Sequence, residues 1–211
     1  MTMVCERLQD TAIGVDIIRT PENLSILAKP ECAAALWQRE TPTAFQTWID
    51  ALDPDDIPAA RHILQPQNVR AVLSDLCDTA GLKNDPNRQQ LINDITFLTH
   101  RFRDLMEAPY VRLRLDRVTT NACRRFHIDA ISARLVCTYR GTGTQYGNSA
   151  DGAEPTRVFT VPTGSPILMR GTLWPEQPSA GLLHRSPPIE GSGETRLVLV
   201  LDPIFSSEES V

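Results

Sequence analysis

The chain has 211 residues, of which 41% are hydrophobic and 22% are charged, as is ordinary for a globular protein of one domain. A formal net charge of −5, with no long basic run, argues against general binding to nucleic acid or to an anionic membrane. Five widely spaced cysteines, none in a Cys-x-x-Cys pair, argue against a disulfide framework, and a charged N-terminal stretch with no long apolar run predicts a cytoplasmic protein.

The first half of the chain, residues 1–109, is predicted to be mainly helical. Residues 31–39 are rich in alanine and are assigned to a helix, and residues 43–52 carry apolar side chains at helical spacing. Two further helices are predicted over residues 67–79 and 86–107. We expect this helical part to pack against the second half of the chain.

The strongest helical signal lies in residues 86–107. Asp85 suits the N-cap position, and Pro86 suits the first turn. Apolar residues then recur at spacings of 4, 3, 4 and 3, which places on one face Leu91, Ile95, Leu98, Phe102 and Leu105. This stripe predicts a helix that packs on a sheet.

The pattern changes after Pro109. Between turns rich in glycine and proline, short strands are predicted over residues 111–119, 126–130, 133–139, 158–161, 167–170, 182–185 and 195–201. Residues 141–155 are assigned to a loop. Such a series of strands is typical of an antiparallel barrel or sandwich, here spanning residues 110–205 and followed by a disordered tail at residues 206–211. The predicted fold class is α+β, in a single structural unit.

A His-x-Asp pair, His127 and Asp129, lies on the second of these strands. Residues i and i+2 of a strand face the same side, so both side chains can reach one point inside a barrel. A second histidine, His184, lies on a later strand. Two imidazoles and one carboxylate can hold one face of an octahedral Fe(II) and leave the opposite face open, which is the ligand set of non-haem iron oxygenases.

Arg196 follows His184 on the next predicted strand. A hairpin centred on Glu190, the midpoint of positions 184 and 196, would place Arg196 opposite His184 and on the same face. A guanidinium there would bind the far carboxylate of a 2-oxoacid cosubstrate through two parallel hydrogen bonds. Together with the His-x-Asp pair, this arginine predicts an oxygen-activating metal site.

Two segments, FHID at residues 126–129 and HRSPPIEGSGETRLVL at residues 184–199, resemble the Fe(II)/2-oxoglutarate-dependent dioxygenase superfamily. The resemblance covers about residues 110–202 and implies a C-terminal double-stranded β-helix (jelly-roll) buttressed by the N-terminal helices. It also implies Fe(II) bound by His127, Asp129 and His184, with 2-oxoglutarate anchored by Arg196. The wider pattern, CRRFHID followed by RLVCTYRGTGT, is similar to an uncharacterised bacterial family whose members are often encoded near zinc-responsive metallochaperone genes.

The chain departs from better-known branches of that superfamily at residues 114–118. Those branches carry Asn-x-Tyr before the His-x-Asp pair, whereas this segment reads RLDRV. The near end of 2-oxoglutarate then needs other partners, and the candidates are Arg134, Thr138 and Tyr139.

Alternatives to an iron oxygenase remain open at the level of sequence. Cys123 and Cys137 lie near the His-x-Asp pair along the chain, and a thiolate ligand would favour zinc over iron. The alternative function is a cupin-like metal-binding protein without turnover, for example in zinc homeostasis, and a degenerate interaction domain is a third. The substrate, a small molecule or a protein, is not indicated by the sequence.

Overall fold

A computed structural model describes residues 10–176 and 180–206. Its α-helices are α1 (Thr43–Ala51), α2 (Val69–Thr79) and α3 (Pro86–Met106), and 3₁₀ helices cover Pro21–Ala28, Pro54–Asp56 and Pro66–Asn68. The predictions of helices over residues 43–52, 67–79 and 86–107 are confirmed. None of the helices in the described part of the chain has the length and apolar character needed to cross a bilayer. The predicted tail lies, apart from Ser206, outside the described residues.

Helix α3 begins where the sequence indicates. The Asp85 side chain accepts a hydrogen bond from the Arg88 amide at 2.9 Å, and Pro86 occupies the first turn. The helix ends at Glu107, whose φ of 51° lies in the left-handed region. The apolar stripe is buried, since each of four side chains is at most 1% exposed: Leu91, Ile95, Leu98 and Phe102.

Ten strands lie within the described residues: β1 (Val15–Ile18), β2 (Ala34–Trp37), β3 (Ala60–Leu64), β4 (Tyr110–Val118), β5 (Ala133–Arg140), β6 (Gln145–Asn148), β7 (Phe159–Thr160), β8 (Pro166–Arg170), β9 (Leu182–Arg185) and β10 (Arg196–Ile204). The first three come from the half of the chain that was predicted to be mainly helical. Strand β6 lies within residues 141–155, which were assigned to a loop.

The prediction of a helix over residues 31–39 is wrong. Strand β2 occupies the middle of this segment, paired in parallel with β1 and antiparallel with β8. Its side chains alternate, because Ala34 and Leu36 contribute to one hydrophobic cluster and Ala35 to another. Alanine favours helix intrinsically, but pairing with two distant strands outweighs a preference of well under 1 kcal/mol per residue.

The larger sheet has seven strands among the described residues, in the order β1-β2-β8-β5-β10-β4-β3. Strand β10 is central to the site because it pairs antiparallel with β4 on one side and with β5 on the other. Its odd-numbered residues, Leu197, Leu199 and Leu201, are fully buried and share a cluster with the apolar stripe of α3. The even-numbered residues therefore face the opposite side, away from the helices.

A smaller sheet, in the order β7-β6-β9, covers that opposite side. Its residues Tyr146, Phe159 and Leu182 pack in a second cluster with Val136 and Val198 of the larger sheet. The two sheets form a double-stranded β-helix, and the helices pack on the outer face of its larger sheet. The predicted α+β class and jelly-roll architecture are confirmed.

Candidate metal centre

His127 lies between β4 and β5 and is tied to His184 of β9. The predicted strand over residues 126–130 is wrong, because this segment pairs with β9 at a single position. There the two histidines exchange both backbone hydrogen bonds, each with an N···O distance of 3.0 Å. The bridge brings the two imidazole ring centroids to 4.5 Å from each other.

Asp129 is positioned by a close approach to the segment that follows β8. Its carbonyl oxygen accepts a hydrogen bond from the Thr172 amide at 2.9 Å. A side chain at Gly171 would place its Cβ 2.7 Å from that oxygen and 2.1 Å from the Ile131 carbonyl oxygen. Glycine is therefore needed at this position for the backbone to hold Asp129 where it lies.

The three predicted ligands converge. One nitrogen or oxygen atom from each of His127, Asp129 and His184 lies within 4.8 Å of the other two. Asp129 Oδ2 is 3.1 Å from His184 Nε2, and Asp129 Oδ1 is 3.5 Å from His127 Nε2. Among the described residues, this is the group of histidine, cysteine and acidic side chains that could hold a metal ion. Its two imidazoles and one carboxylate match the facial arrangement that Fe(II) accepts.

The hydrogen bonds of His127 and Asp129 leave one ring nitrogen and one carboxylate oxygen available to a metal. His127 Nδ1 lies 2.8 Å from the Arg125 carbonyl oxygen. A carbonyl can only accept, so Nδ1 carries the proton and the lone pair resides on Nε2. Asp129 Oδ2 is buried and has no hydrogen-bond partner among the described residues. A buried carboxylate oxygen without a donor is costly, and a cation at this point would satisfy it.

The local charges favour the protonation states that a metal requires. Burial opposes ionisation of Asp129, but contact with His184 and the positive charge of Arg134 together lower its pKa to about 2. Burial lowers the pKa of His184, outweighing the opposite effect of Asp129. An ionised carboxylate and a neutral imidazole are the forms that bind a metal.

A cavity of about 110 Å³ opens beside His127 and His184. Its walls come from the even-numbered face of β10, from β4 and β5, and from the segments around the two histidines. The lining includes Arg114, His127, Arg134, Val136, His184, Arg196, Val198 and Val200.

Arg196 lies in this cavity as a buried cation. It is 1% exposed, and its guanidinium donates to the Thr142 carbonyl oxygen at 2.6 Å and to Thr138 Oγ1 at 3.4 Å. No carboxylate among the described residues lies within 4.0 Å of it, and Glu194 instead accepts hydrogen bonds from Thr142. Burial lowers the pKa of Arg196 to about 10, so it is still charged at neutral pH. An unpaired buried guanidinium of this kind suits an anionic ligand.

Arg196 does not reach the cavity by the route that the sequence predicted. A hairpin centred on Glu190 is wrong, because β9 and β10 belong to different sheets. His184 is opposite Tyr146 of β6, and Arg196 is opposite Val118 of β4. The side chains of His184 and Arg196 line the same cavity from different sheets.

The candidates for the near end of a cosubstrate are separated by strand parity. Arg134 lines the cavity, and Thr138, which has the same parity on β5, contacts Arg196. Tyr139 was wrongly placed, since it faces the helices, where its hydroxyl donates to Asp94 Oδ2 at 2.7 Å. Arg134 is occupied by carboxylates, namely Asp129 and Asp202.

The two cysteines near the His-x-Asp pair do not join the group of donors. Cys123 is exposed and lines the cavity, but it is not one of the three clustered side chains. Cys137 is fully buried on the helix side of β5. The zinc alternative therefore lacks the thiolate ligand that would favour it.

Sequence reasoning missed Asp202 and Arg114. Asp202 lies six residues after Arg196 on β10, so strand parity alone places both on one face. Arg114 lies on β4, opposite Val200. The alternation of side chains along each strand could have placed both residues on one face of their strands. Which face lines the cavity depends on how the strands pair.

The fold of the chain resembles that of solved dioxygenases. It is similar to dioxygenase for auxin oxidation 1 from Arabidopsis thaliana, solved as a binary complex with 2-oxoglutarate, with a TM-score of 0.57 and 8% identity over 95% of each chain. It is also similar to a dioxygenase for auxin oxidation in rice, with a TM-score of 0.51 and 12% identity over 93% of this chain and 84% of that one. The likeness to the Fe(II)/2-oxoglutarate dioxygenases is thereby confirmed at the level of the fold.

Sequence comparison places the chain in a family. Residues 19–202 match the family described as "Protein of unknown function (DUF1826)", and the chain belongs to this family. No curated protein sequence matches the chain.

Proposed function

We propose that this protein is an Fe(II)/2-oxoglutarate-dependent oxygenase that carries out a hydroxylase-type oxidation. The observation that carries the proposal is a single cavity with two parts. One wall presents the imidazoles of His127 and His184, which lie within 4.8 Å of the Asp129 carboxylate. The other wall presents Arg196, a buried cation with no carboxylate partner among the described residues. A dicarboxylic cosubstrate that binds iron at one end needs such an arginine at the other.

His127, Asp129 and His184 would hold the iron. Their free atoms fit the role, because His127 Nε2 has its lone pair available and Asp129 Oδ2 lacks a hydrogen-bond donor. When bound, Fe(II) with 2-oxoglutarate supplies the activation of oxygen, which no side chain can perform. The protein contributes ligands in their metal-binding protonation states and fixes their orientation.

Arg196 would anchor the far carboxylate of 2-oxoglutarate. Its Nε is held by the Thr142 carbonyl, and the Thr138 hydroxyl beside it offers a further hydrogen bond. Between the arginine and the ligand group, the cavity face of the larger sheet carries Val136, Val198 and Val200. These valines exclude water from the space that the cosubstrate would occupy, which strengthens its electrostatic contacts.

A metal-binding protein without turnover is not favoured. Such a protein needs the three ligands but has no use for a buried, ionised arginine beside them, because burying that charge costs folding free energy. A carboxylate ligand bound to Arg196 would offset this cost.

The proposal is tested by anaerobic titration of the metal-free protein with Fe(II) and then with 2-oxoglutarate. We expect a weak visible metal-to-ligand band on addition of 2-oxoglutarate, and succinate formation once oxygen is admitted. Asp129→Ala should lose metal binding and the band, whereas Arg196→Ala should bind metal and lose the band.

The matched control is Arg185→Ala. Arg185 also lines the cavity, but its Nε donates to Gln145 and its guanidinium stacks on Phe126, so removing it tests loss of cavity charge without loss of the anchor. This variant should keep the band. Tight zinc binding with no 2-oxoglutarate complex, or an unchanged 2-oxoglutarate affinity in Arg196→Ala, would reject the proposal.

A further inference from the structure

One side chain links a proposed metal ligand to the centre of the larger sheet. Arg134 Nη1 donates to Asp129 Oδ1, and on its other edge Arg134 Nε and Nη2 donate to the two oxygens of Asp202 at 2.7 and 3.0 Å. Arg134 and Asp202 lie on neighbouring strands, β5 and β10, whose residues Leu135 and Leu201 are opposite each other. The guanidinium is therefore held by a two-point contact to a carboxylate that is itself fixed in the sheet.

This arrangement is largely buried. The side chain of Asp202 is 3% exposed, and those of Arg134 and Asp129 are 17% and 14% exposed. Asp202 also has Arg114 Nη2 at 3.5 Å, so two arginines face its single negative charge. Because Asp202 offsets part of the charge of Arg134, the hydrogen bond to Asp129 Oδ1 is the direct contact through which the pair acts on the ligand group.

We infer that Arg134, held by Asp202, is a positioning residue that occupies Asp129 Oδ1 and leaves Oδ2 as the oxygen for the metal. The inference rests on the proposed metal site. A carboxylate can bind a metal through one oxygen or through both, and its plane can rotate. With Oδ1 held by a guanidinium and Oδ2 without a donor, Asp129 presents one oxygen toward His184 Nε2. This assigns Arg134 to the protein side of the site rather than to the cosubstrate.

The size of the effect follows from other metal sites. Removing a hydrogen-bond partner that orients a metal ligand typically weakens metal binding about 10- to 100-fold. A purely electrostatic role for Arg134 predicts the opposite sign, because a cation close to the metal repels it and its removal would strengthen binding.

The experiment measures the Co(II) dissociation constant and the visible Co(II) spectrum of the metal-free protein without cosubstrate. The variants are Arg134→Gln, Asp202→Asn, the double variant and Arg134→Lys. The two single variants should bind Co(II) about 10- to 100-fold more weakly and show an altered spectrum, since Asp129 is no longer held by one oxygen. The double variant removes one charge of each sign and should be no weaker than the single variants, because the two residues act in series. Arg134→Lys should recover part of the affinity.

The control is Arg114→Gln, which removes a contact to Asp202 but none to Asp129, and should leave the Co(II) spectrum unchanged. Wild-type or tighter Co(II) binding by Arg134→Gln would overturn the inference. If circular dichroism shows that Arg134→Gln does not fold, the Co(II) affinity of the near-isosteric Asp202→Asn variant is judged by the same criterion. Failure of the unmodified protein to bind any divalent metal would instead reject the proposed function.

Discussion

Replacing Arg196 with methionine should abolish 2-oxoglutarate binding and, at the same time, make the metal-free protein more stable. The reason is that Arg196 is buried and ionised but has no carboxylate partner among the described residues. In the absence of a ligand, the folded protein bears most of the desolvation cost of this charge, since the charge of Glu194 offsets only part of it. Methionine has a similar length and no charge to desolvate.

The magnitude follows from the pKa of Arg196, which burial lowers from 12.5 to about 10. A lowered pKa means that folding disfavours the charged form, and at neutral pH the arginine is charged in both states, so the whole cost is present. At about 1.4 kcal/mol for each tenfold change in an equilibrium constant, that cost is roughly 3 kcal/mol. Leaving the Thr142 carbonyl without its donor costs about 1 kcal/mol. The expected net gain is about 2 kcal/mol, or a rise in Tm of about 4–8 °C.

Thermal unfolding of the metal-free proteins checks this. The control is Arg170→Met. Burial lowers the pKa of Arg170 too, but its guanidinium donates to the carbonyl oxygens of Leu27, Lys29 and Glu176, and the loss of these donors outweighs the relief of desolvation. That variant should unfold at a lower temperature. With metal present, 2-oxoglutarate should raise the Tm of the unmodified protein and not that of Arg196→Met. A loss of stability in Arg196→Met comparable to that in Arg170→Met would show that Arg196 is a structural residue and refute the reasoning.

Three further outcomes are expected. Gly171→Ala should lose about 1–3 kcal/mol of stability and bind Co(II) more weakly, because its Cβ would lie 2.1 Å from the Ile131 carbonyl oxygen; unchanged calorimetric and metal titrations would contradict this. Burial raises the pKa of Cys137 to about 12, so this thiol should resist iodoacetamide in the native protein at pH 8, whereas the exposed Cys123 should be alkylated. Peptide mass spectrometry measures the labelling of each cysteine, and equal labelling would contradict the burial of Cys137. Tyr139→Phe should lower the free energy of unfolding in urea by about 1 kcal/mol and leave the 2-oxoglutarate affinity unchanged. A fall in that affinity would show that Tyr139 contributes to cosubstrate binding.

The parts of the site that depend on local spacing could be predicted from the sequence. His127 and Asp129 are two residues apart, and a short extended segment is enough to turn both side chains the same way. Parity also limits the cosubstrate candidates, because Thr138 and Tyr139 are adjacent on β5 and cannot both face the cavity. Arg134 and Thr138 share a parity, so the sequence itself excludes Tyr139 once either of them is placed inside.

The parts that depend on distant pairing could not be predicted. Residues 31–39 resemble a helix until the partners of β2 are known. The register of Arg196 depends on β4 and β5 rather than on the loop before it, which is why the hairpin failed. The contact between Arg134 and Asp202 joins residues 68 positions apart, and no local pattern marks it.

The backbone bridge between His127 and His184 has a thermodynamic consequence for metal binding. His184 belongs to the smaller sheet, whereas Asp129 is held through Arg134 by the larger one. Separating the two sheets would pull the ligands apart, so a metal can bind only when the sheets are closed. The free energy of closing the sheets is therefore part of the observed free energy of metal binding. A bound metal would stabilise the contact between the two sheets. The amide hydrogens of the short strands β6 and β9 would then exchange with solvent more slowly in the metal-bound protein.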